Sequence, residues 1–249
     1  MNQTRLDDSL KNLHLSTIRG CYRDEADIAR QESLSYEQYL GELVVRECEE
    51  RRRKRINRYL RESRLPLEKT MASFERSRLP ARLNGVVNIL LDGSFLERCE
   101  NILAFGNPGS GKTHLLCAIA QELIKQDKRI FFTSCSMLVQ EMLVAKRELE
   151  LPKILKKLSR YDALLIDDIG YVQQSREEME VLFTLLAHCY ERSSLMITSN
   201  LPFSQWEKIF KDPMTTAAAI DRLVHHSVIL EINVESYRLE KAKKRRENR

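Results

Sequence analysis

The chain predicts an α/β fold: a mostly parallel five-stranded sheet with helices on both faces, preceded by a small all-helical domain. Three observations carry that expectation. From residue 101 onward, short apolar runs alternate with longer amphipathic ones, the pattern of strands joined by crossover helices. Gly106–Thr113 reads Gly-Asn-Pro-Gly-Ser-Gly-Lys-Thr between an apolar run and a helix-like run, as a phosphate-binding loop requires. Residues 5 to 62 contain no proline and little glycine, and their apolar residues recur at helical spacing.

In that first segment Leu6, Leu10 and Leu13 form a short stripe, Ile28 follows, and Tyr36, Tyr39, Leu40, Leu43, Val44 and Cys48 form a longer one. Ser35 with Gln38 reads as a capping box opening the long helix. Residues 66–100 are punctuated by Pro66, Pro80, Gly85 and Gly93 but carry Phe74, Leu83, Val86, Val87, Ile89, Leu90 and Leu91. They predict a connector packed on the second domain, with a helix near 83–91. Strands are expected at 101–105, 129–133, 163–167, 195–199 and 227–232. Helices are expected at 114–126, 135–147, 152–159, 175–191, 204–210 and 215–224, with capping boxes at Ser175/Glu178 and Ser204/Glu207. The domains are then 1–65, helical; 66–100, connector; 101–239, the α/β domain; and 240–249, a basic tail.

The loop carries the chemistry. Its glycines let backbone N–H groups converge on phosphates, Lys112 brings a point charge and Thr113 a hydroxyl for Mg²⁺. Gly106, Asn107, Pro108, Gly109, Ser110, Gly111, Lys112, Thr113 and His114 are the candidate nucleotide contacts. A second signal is Leu164-Leu165-Ile166-Asp167-Asp168, a buried strand ending in two carboxylates where ligands sit in such sheets. Asp167 suits the metal, and Asp168 suits orienting the attacking water or taking its proton. A third strand ends Thr198-Ser199-Asn200. Asn200 or Thr198 would reach the γ-phosphate, although Asn200-Leu201-Pro202 is also good turn chemistry. Arg222 has two readings, a dipole partner at a helix C-terminus or an arginine finger entering a neighbour's site. His225 and His226 have no acidic or cysteine partner at ligand spacing and read as structural or solvent-exposed. Phe203 and Trp206 read as packing groups for the loop and helix, with stacking on a partner or base as the alternative.

Lys and Arg number 41 against 36 Asp and Glu, a net charge of +5 that is unevenly spread. Arg46, Arg51, Arg52, Arg53, Lys54, Arg55, Arg58, Arg61 and Arg64 crowd one stretch, and Arg51, Arg52, Arg55, Arg58 and Arg61 are the candidate duplex-phosphate contacts. Glu47, Glu49 and Glu50 precede them, so the alternative is a paired, solvated helix face. The Lys241–Arg246 run adds a second patch or a solvated end. Neither patch has a base-reading pattern, so binding would be weakly specific and salt-sensitive. Six cysteines without a Cys-x-x-Cys pair predict reduced thiols. The amino terminus lacks a signal region and no apolar run approaches the roughly 20 residues of a membrane span, so a cytoplasmic location is expected.

These residues resemble a known family. Asn101–Thr113, Leu164–Gly170, Ser194–Trp206, the Ile-Asp-Arg-Leu-Val-His-His run within Ala217–His226 and the closing Glu235-Ser236-Tyr237-Arg238-Leu239 look like the IstB family. Its members are ATP-binding helpers of an insertion-sequence class within the AAA+ superfamily, related to helicase loaders and the replication initiator. The resemblance is strong over 101–239 and weaker over 1–65. It implies a P-loop ATPase in which Lys112 and Thr113 hold phosphates and Mg²⁺ and Asp167 holds the metal. Asp168 would activate water, Asn200 would be the first sensor, and Arg222 the finger supplied in trans, so Asp168, Asn200, Arg222 and Lys112 form the catalytic set. It also implies a homo-oligomer that binds duplex DNA, bends it, and recruits and stimulates a partner transposase, without the helical lid of many AAA+ proteins. A helicase loader acting on single strands is the alternative within the fold. A small-molecule kinase and a non-hydrolysing scaffold are the alternatives outside it. Val234 stands where the family's typical glycine precedes Glu-Ser-Tyr-Arg, which questions the terminal turn, since Val resists positive φ.

Overall fold

The computed structural model describes residues 3–170, 175–210, 212–234, 236 and 237. The chain divides into two compact units, Met1–Arg58 and Tyr59–Arg249.

The first unit contains helices α1 (Gln3–Asn12), α2 (Ser16–Gln31) and most of α3 (Tyr36–Glu62). The Ser35/Gln38 capping box is formed, with Ser35 N–H donating to Gln38 Oε1 at 2.8 Å and Gln38 N–H to Ser35 Oγ at 3.2 Å. Leu10, Ile18 and Leu43 make the small core, with Leu6, Leu15, Tyr22 and Tyr39 packed against it. The predicted stripe is only partly used: Leu13, Tyr36, Leu40 and Val44 are exposed. Helix spacing aligns candidates for burial, but only those lines of a helix that meet another element are covered.

The second unit is built on β1 (Asn101–Phe105), β2 (Ile130–Ser134), β3 (Ala163–Asp167), β4 (Ser194–Ser199) and β5 (Ser227–Glu231). They form one parallel sheet in the order β2-β3-β4-β1-β5. Alternation along each strand divides the side chains between two faces. Leu103, Leu164, Ile166, Leu195 and Ile197 join the apolar cluster of α7 (Cys135–Arg147), α8 (Leu151–Leu158), α9 (Arg176–Cys189), α10 (Glu207–Phe210) and α11 (Pro213–Val224). α6 (Lys112–Lys125) packs against β1, β2, β3 and β4 and is buried almost all round, as a helix between sheet and connector must be. The α/β class with helices flanking a five-stranded parallel sheet is thus observed.

Residues 59–100 belong to this unit. Ser63 O accepts from the Phe132 N–H at 2.7 Å, covering the edge strand β2. The predicted connector helix is α4 (Ala81–Asp92), closed by Gly93 at φ +80°, and a short α5 (Ser94–Glu97) follows. Gln121 Nε2 donates to the Pro66 and Lys69 carbonyls, and Gln126 Nε2 to Leu91 O, tying the connector to α6.

Boundaries moved where caps decide them. Arg129 lies outside β2, its N–H taken at 2.6 Å by the Asp162 carboxylate. The Ser175/Glu178 capping box opens α9. Ser204 caps nothing: residues 203–205 form a 3₁₀ turn, Trp206 N–H bonds Phe203 O, and α10 is a separate short helix. Pro202 initiates that turn, which places Ser204 inside it rather than before a helix.

Candidate nucleotide-binding site

The sheet order places the C-terminal ends of β1, β3 and β4 side by side, and the functional side chains meet there. β1 runs into the loop, where Gly106, Gly109 and Gly111 take φ of +150°, +82° and +97°. Gly111 is the N-cap of α6, so the helix dipole points its positive end at the loop. Lys112 is buried, and its Nζ donates to Gly106 O at 2.7 Å, Asn107 O at 2.9 Å and Asn200 Oδ1 at 2.7 Å. Thr113 Oγ1 donates to Asp167 Oδ1 at 2.7 Å, and Thr198 Oγ1 donates to the same oxygen at 2.7 Å. Asp168 N–H donates to Thr198 Oγ1 at 2.8 Å, and Asn200 Nδ2 donates to Asp168 Oδ1 at 2.9 Å.

One network therefore joins Lys112, Asn200, Asp168, Thr198, Asp167 and Thr113. Thr198, offered by sequence only as a substitute for Asn200, is its hinge: 1% exposed, it bonds the Asp167 carboxylate and the backbone N–H of Asp168. Asp168 has φ +63°, a left-handed conformation that costs a non-glycine residue about 1 kcal/mol. Desolvation by burial, then the neighbouring Asp167, push its carboxyl above the usual range, while Lys112 pulls it back. A carboxylate so held is a stronger proton acceptor than one in water.

These residues line a cleft of about 550 Å³ with Pro108, Gly109, Ser110 and His114. Sequence reading missed a wall of the same cleft, formed by Ser73, Phe74, Glu75, Arg78 and Leu79 from the connector and by Val234 and Tyr237 after β5. His114 Nε2 lies 3.1 Å from both Ser73 Oγ and Thr70 O, and its ring meets Phe74 edge-on at 5.2 Å. Among the described residues Val234 is not one of the non-glycine residues of positive φ, so the chain passes it without needing glycine.

Arg222 is absent from the described lining. It sits in the last turn of α11, its guanidinium 4.7 Å from the Phe183 ring centroid and 3.2 Å from Ala218 O. His225 and His226 meet an acidic partner after all: Glu191, from the turn before β4, brings its carboxylate into an exposed trio with them. Trp206 is fully buried against Phe105, Phe203 and Phe210, as a packing group.

In the helical unit Arg51, Arg52, Arg55 and Arg58 are exposed, as is Arg61 of the other unit. Arg51 is committed to structure: Nε donates to Glu47 Oε1 at 2.8 Å and Nη2 to His14 O at 2.8 Å. Glu47, only 4% exposed, also accepts from the N–H groups of Thr17 and Ile18 at the start of α2. Arg53 and Lys54 pair with Glu50, and Arg46 with Glu25. The Lys241–Arg246 patch lies outside the described residues. Among those residues no helix is long and apolar enough to cross a membrane.

A glycine-rich loop opening a helix at the C-terminal ends of a parallel sheet, with its lysine, threonine and paired carboxylates joined, defines a P-loop nucleotide-binding protein. The model of the family described as IstB-like ATP binding protein matches residues 8–245, and the chain belongs to that family, within the AAA+ superfamily. It is 41% identical to a protein of Sinorhizobium fredii named as an insertion sequence ATP-binding protein, over all of this chain and 84% of the relative. It is 36% identical to one named for the insertion sequence IS21 of Pseudomonas aeruginosa, over 87% of this chain and 82% of that one. Two solved structures share its fold. AMPPCP-bound DnaA from Aquifex aeolicus matches with a TM-score of 0.57 and 20% identity, over 74% of this chain and 56% of that one. The DnaC helicase loader matches with 0.51 and 19%, over 62% and 89%.

Proposed function

We propose that the protein is a Mg²⁺-dependent ATPase that assembles with copies of itself on duplex DNA, remodels it, and recruits and stimulates a partner transposase. The observation that carries this is the joined network from Lys112 to Thr113 in a chain of the IstB-like family. Backbone N–H groups of the loop and Lys112 bind the phosphates. Thr113 and Asp167, already sharing a hydrogen bond, suit a divalent cation, which would neutralise phosphate charge. Asp168 takes the proton of the attacking water, and Asn200, bonded to both Asp168 and Lys112, aligns that water with the γ-phosphate.

Arg222 acts from a neighbouring subunit, a role consistent with its absence from the described lining of its own cleft. The exposed Arg52, Arg55, Arg58 and Arg61 serve the phosphates of duplex DNA, and Arg51 contributes mainly by holding α2 and α3 together. Hydrolysis removes the charge at the subunit junction and releases the assembly.

The test is ATP hydrolysis with and without duplex DNA at two salt concentrations. Turnover should rise with duplex and the rise should shrink with salt. Asp168→Asn should bind ATP without turning it over, and Arg222→Ala should do likewise. Mixing the two variants should restore part of the activity, because each supplies what the other lacks. Equal rates with and without DNA, a preference for single strands, or no recovery on mixing would each count against this reading.

A further inference from the structure

The segment after β5 is bound to the phosphate loop at several points. Ile232 N–H donates to Phe105 O at 2.7 Å, and Tyr237 N–H donates to Gly109 O at 3.1 Å. A Cβ on Gly106 would run into Ile232 O, and one on Gly109 into Ser236 Oγ, so both glycines are places where this segment presses on the loop. Phe74 flanks the loop too, 3.1 Å from where a Cβ of Gly111 would stand. The Arg78 guanidinium carbon lies 5.4 Å from the centre of the Tyr237 ring, and both residues line the cleft.

The lining is chemically divided. Asp167, Asp168 and Asn200 are polar groups at the ends of β3 and β4 and suit the reacting phosphate. Phe74, Leu79, Val234 and Tyr237 have no such use and suit a flat, weakly polar group. We infer that Ile232, Ser236 and Tyr237 clasp the phosphate loop, and that Tyr237, backed by Arg78, is the platform on which the nucleobase stacks. This rests on the nucleotide reading above and adds to it the source of base binding. With the phosphates fixed on Lys112 and Thr113, the base is directed to the aromatic side of the cleft. There a phenol ring polarised by a guanidinium offers stacking that is tolerant of base identity. Because the clasp and the platform are one short segment, holding the base also holds the loop's outer wall.

The test is isothermal titration of the full chain with MgATP, MgGTP and magnesium tripolyphosphate. Wild type, Tyr237→Ala, Tyr237→Phe and Lys112→Ala are compared, with circular dichroism checking the fold. Loss of one base–aromatic stack weakens a nucleotide about tenfold. Tyr237→Ala should therefore lose about tenfold for ATP and for GTP, keep its affinity for tripolyphosphate, and be rescued by Tyr237→Phe. An unchanged ATP affinity would overturn the platform, and so would equal weakening of ATP and tripolyphosphate, which would make Tyr237 a prop for the loop alone. The broader nucleotide reading fails separately, and visibly, if wild type binds none of the three ligands or if Lys112→Ala binds all three as wild type does.

Discussion

Replacing Thr198 by valine removes one hydroxyl and almost no volume, and that hydroxyl makes two bonds at the centre of the network. It donates to Asp167 Oδ1 at 2.7 Å and accepts from the Asp168 N–H at 2.8 Å. The first is charge-assisted, worth about 1.5–3 kcal/mol, and losing the second strands a partly buried donor at a cost of about 1–3 kcal/mol. Asp167 keeps Thr113 as a donor, so the first loss is partly absorbed. A net destabilisation of about 2–3 kcal/mol is expected. Kinetically, Asp168 loses the bond that holds its φ of +63° in place, and a carboxylate misaligned toward the water lowers kcat by about 10- to 100-fold. Nucleotide affinity should change little, since the loop and Lys112 are untouched. Steady-state ATPase kinetics, equilibrium nucleotide binding and thermal denaturation measure the three quantities, with Thr198→Ser expected to recover most of each. A Thr198→Val protein with wild-type kcat would refute the idea that this hydroxyl positions the catalytic carboxylate.

Other perturbations have equally definite outcomes. Gly109→Ala forces a side chain into φ +82° and onto Ser236, so nucleotide affinity measured by titration should fall at least about tenfold. Glu47→Ala unties two α2 N–H groups and Arg51 at once and should cost the helical unit about 2–4 kcal/mol in urea unfolding followed by helicity. In the native chain, burial raises the Glu47 carboxyl, but hydrogen bonds from Arg51, Ile18 and Thr17 outweigh it and hold the pKa below its ordinary 4.5. Its stabilisation is therefore complete above about pH 4.5 and is lost as pH falls through the lower folded value, so an acid titration of helicity should start earlier for Glu47→Gln. Burial pushes the Cys117 thiol up to about 12, and Cys135 and Cys189 are buried as well, while Cys48 is exposed. A colorimetric thiol reagent at pH 8 should label Cys48 rapidly and those three only after denaturation.

The parts of this molecule that were legible in its sequence are those whose meaning is local. The loop glycines with Lys112 and Thr113 occupy eight consecutive residues, and Ala163–Asp167 is apolar until its final carboxylate, so strand and site end together. What sequence hid depends on elements that are distant along the chain. Thr198 is a polar residue inside a buried strand, and its role exists only because β4 pairs with β3. Phe74, Arg78 and Tyr237 share a cleft although about 160 residues separate the first from the last, and no periodicity links them. Glu191 joins His225 and His226 because the turns into the parallel strands β4 and β5 lie at the same end of the sheet, with β1 between those strands. Arg51 looked like its neighbours because a charge run does not disclose that one of its members faces a buried glutamate. The Ser204/Glu207 spacing satisfied the capping rule, yet Pro202 had already committed the chain to a turn.

The single tryptophan has an experimental use that follows from its position. Trp206 donates its indole N–H to Leu201 O at 3.1 Å, the carbonyl immediately after Asn200, and is shielded from water by three phenylalanines. Its emission reports on the peptide that follows Asn200 and on the aromatic cluster around it. Excited near the red edge of protein absorbance, the unlabelled chain thus supplies its own optical gauge, able to time any shift of that peptide when phosphate arrives or leaves.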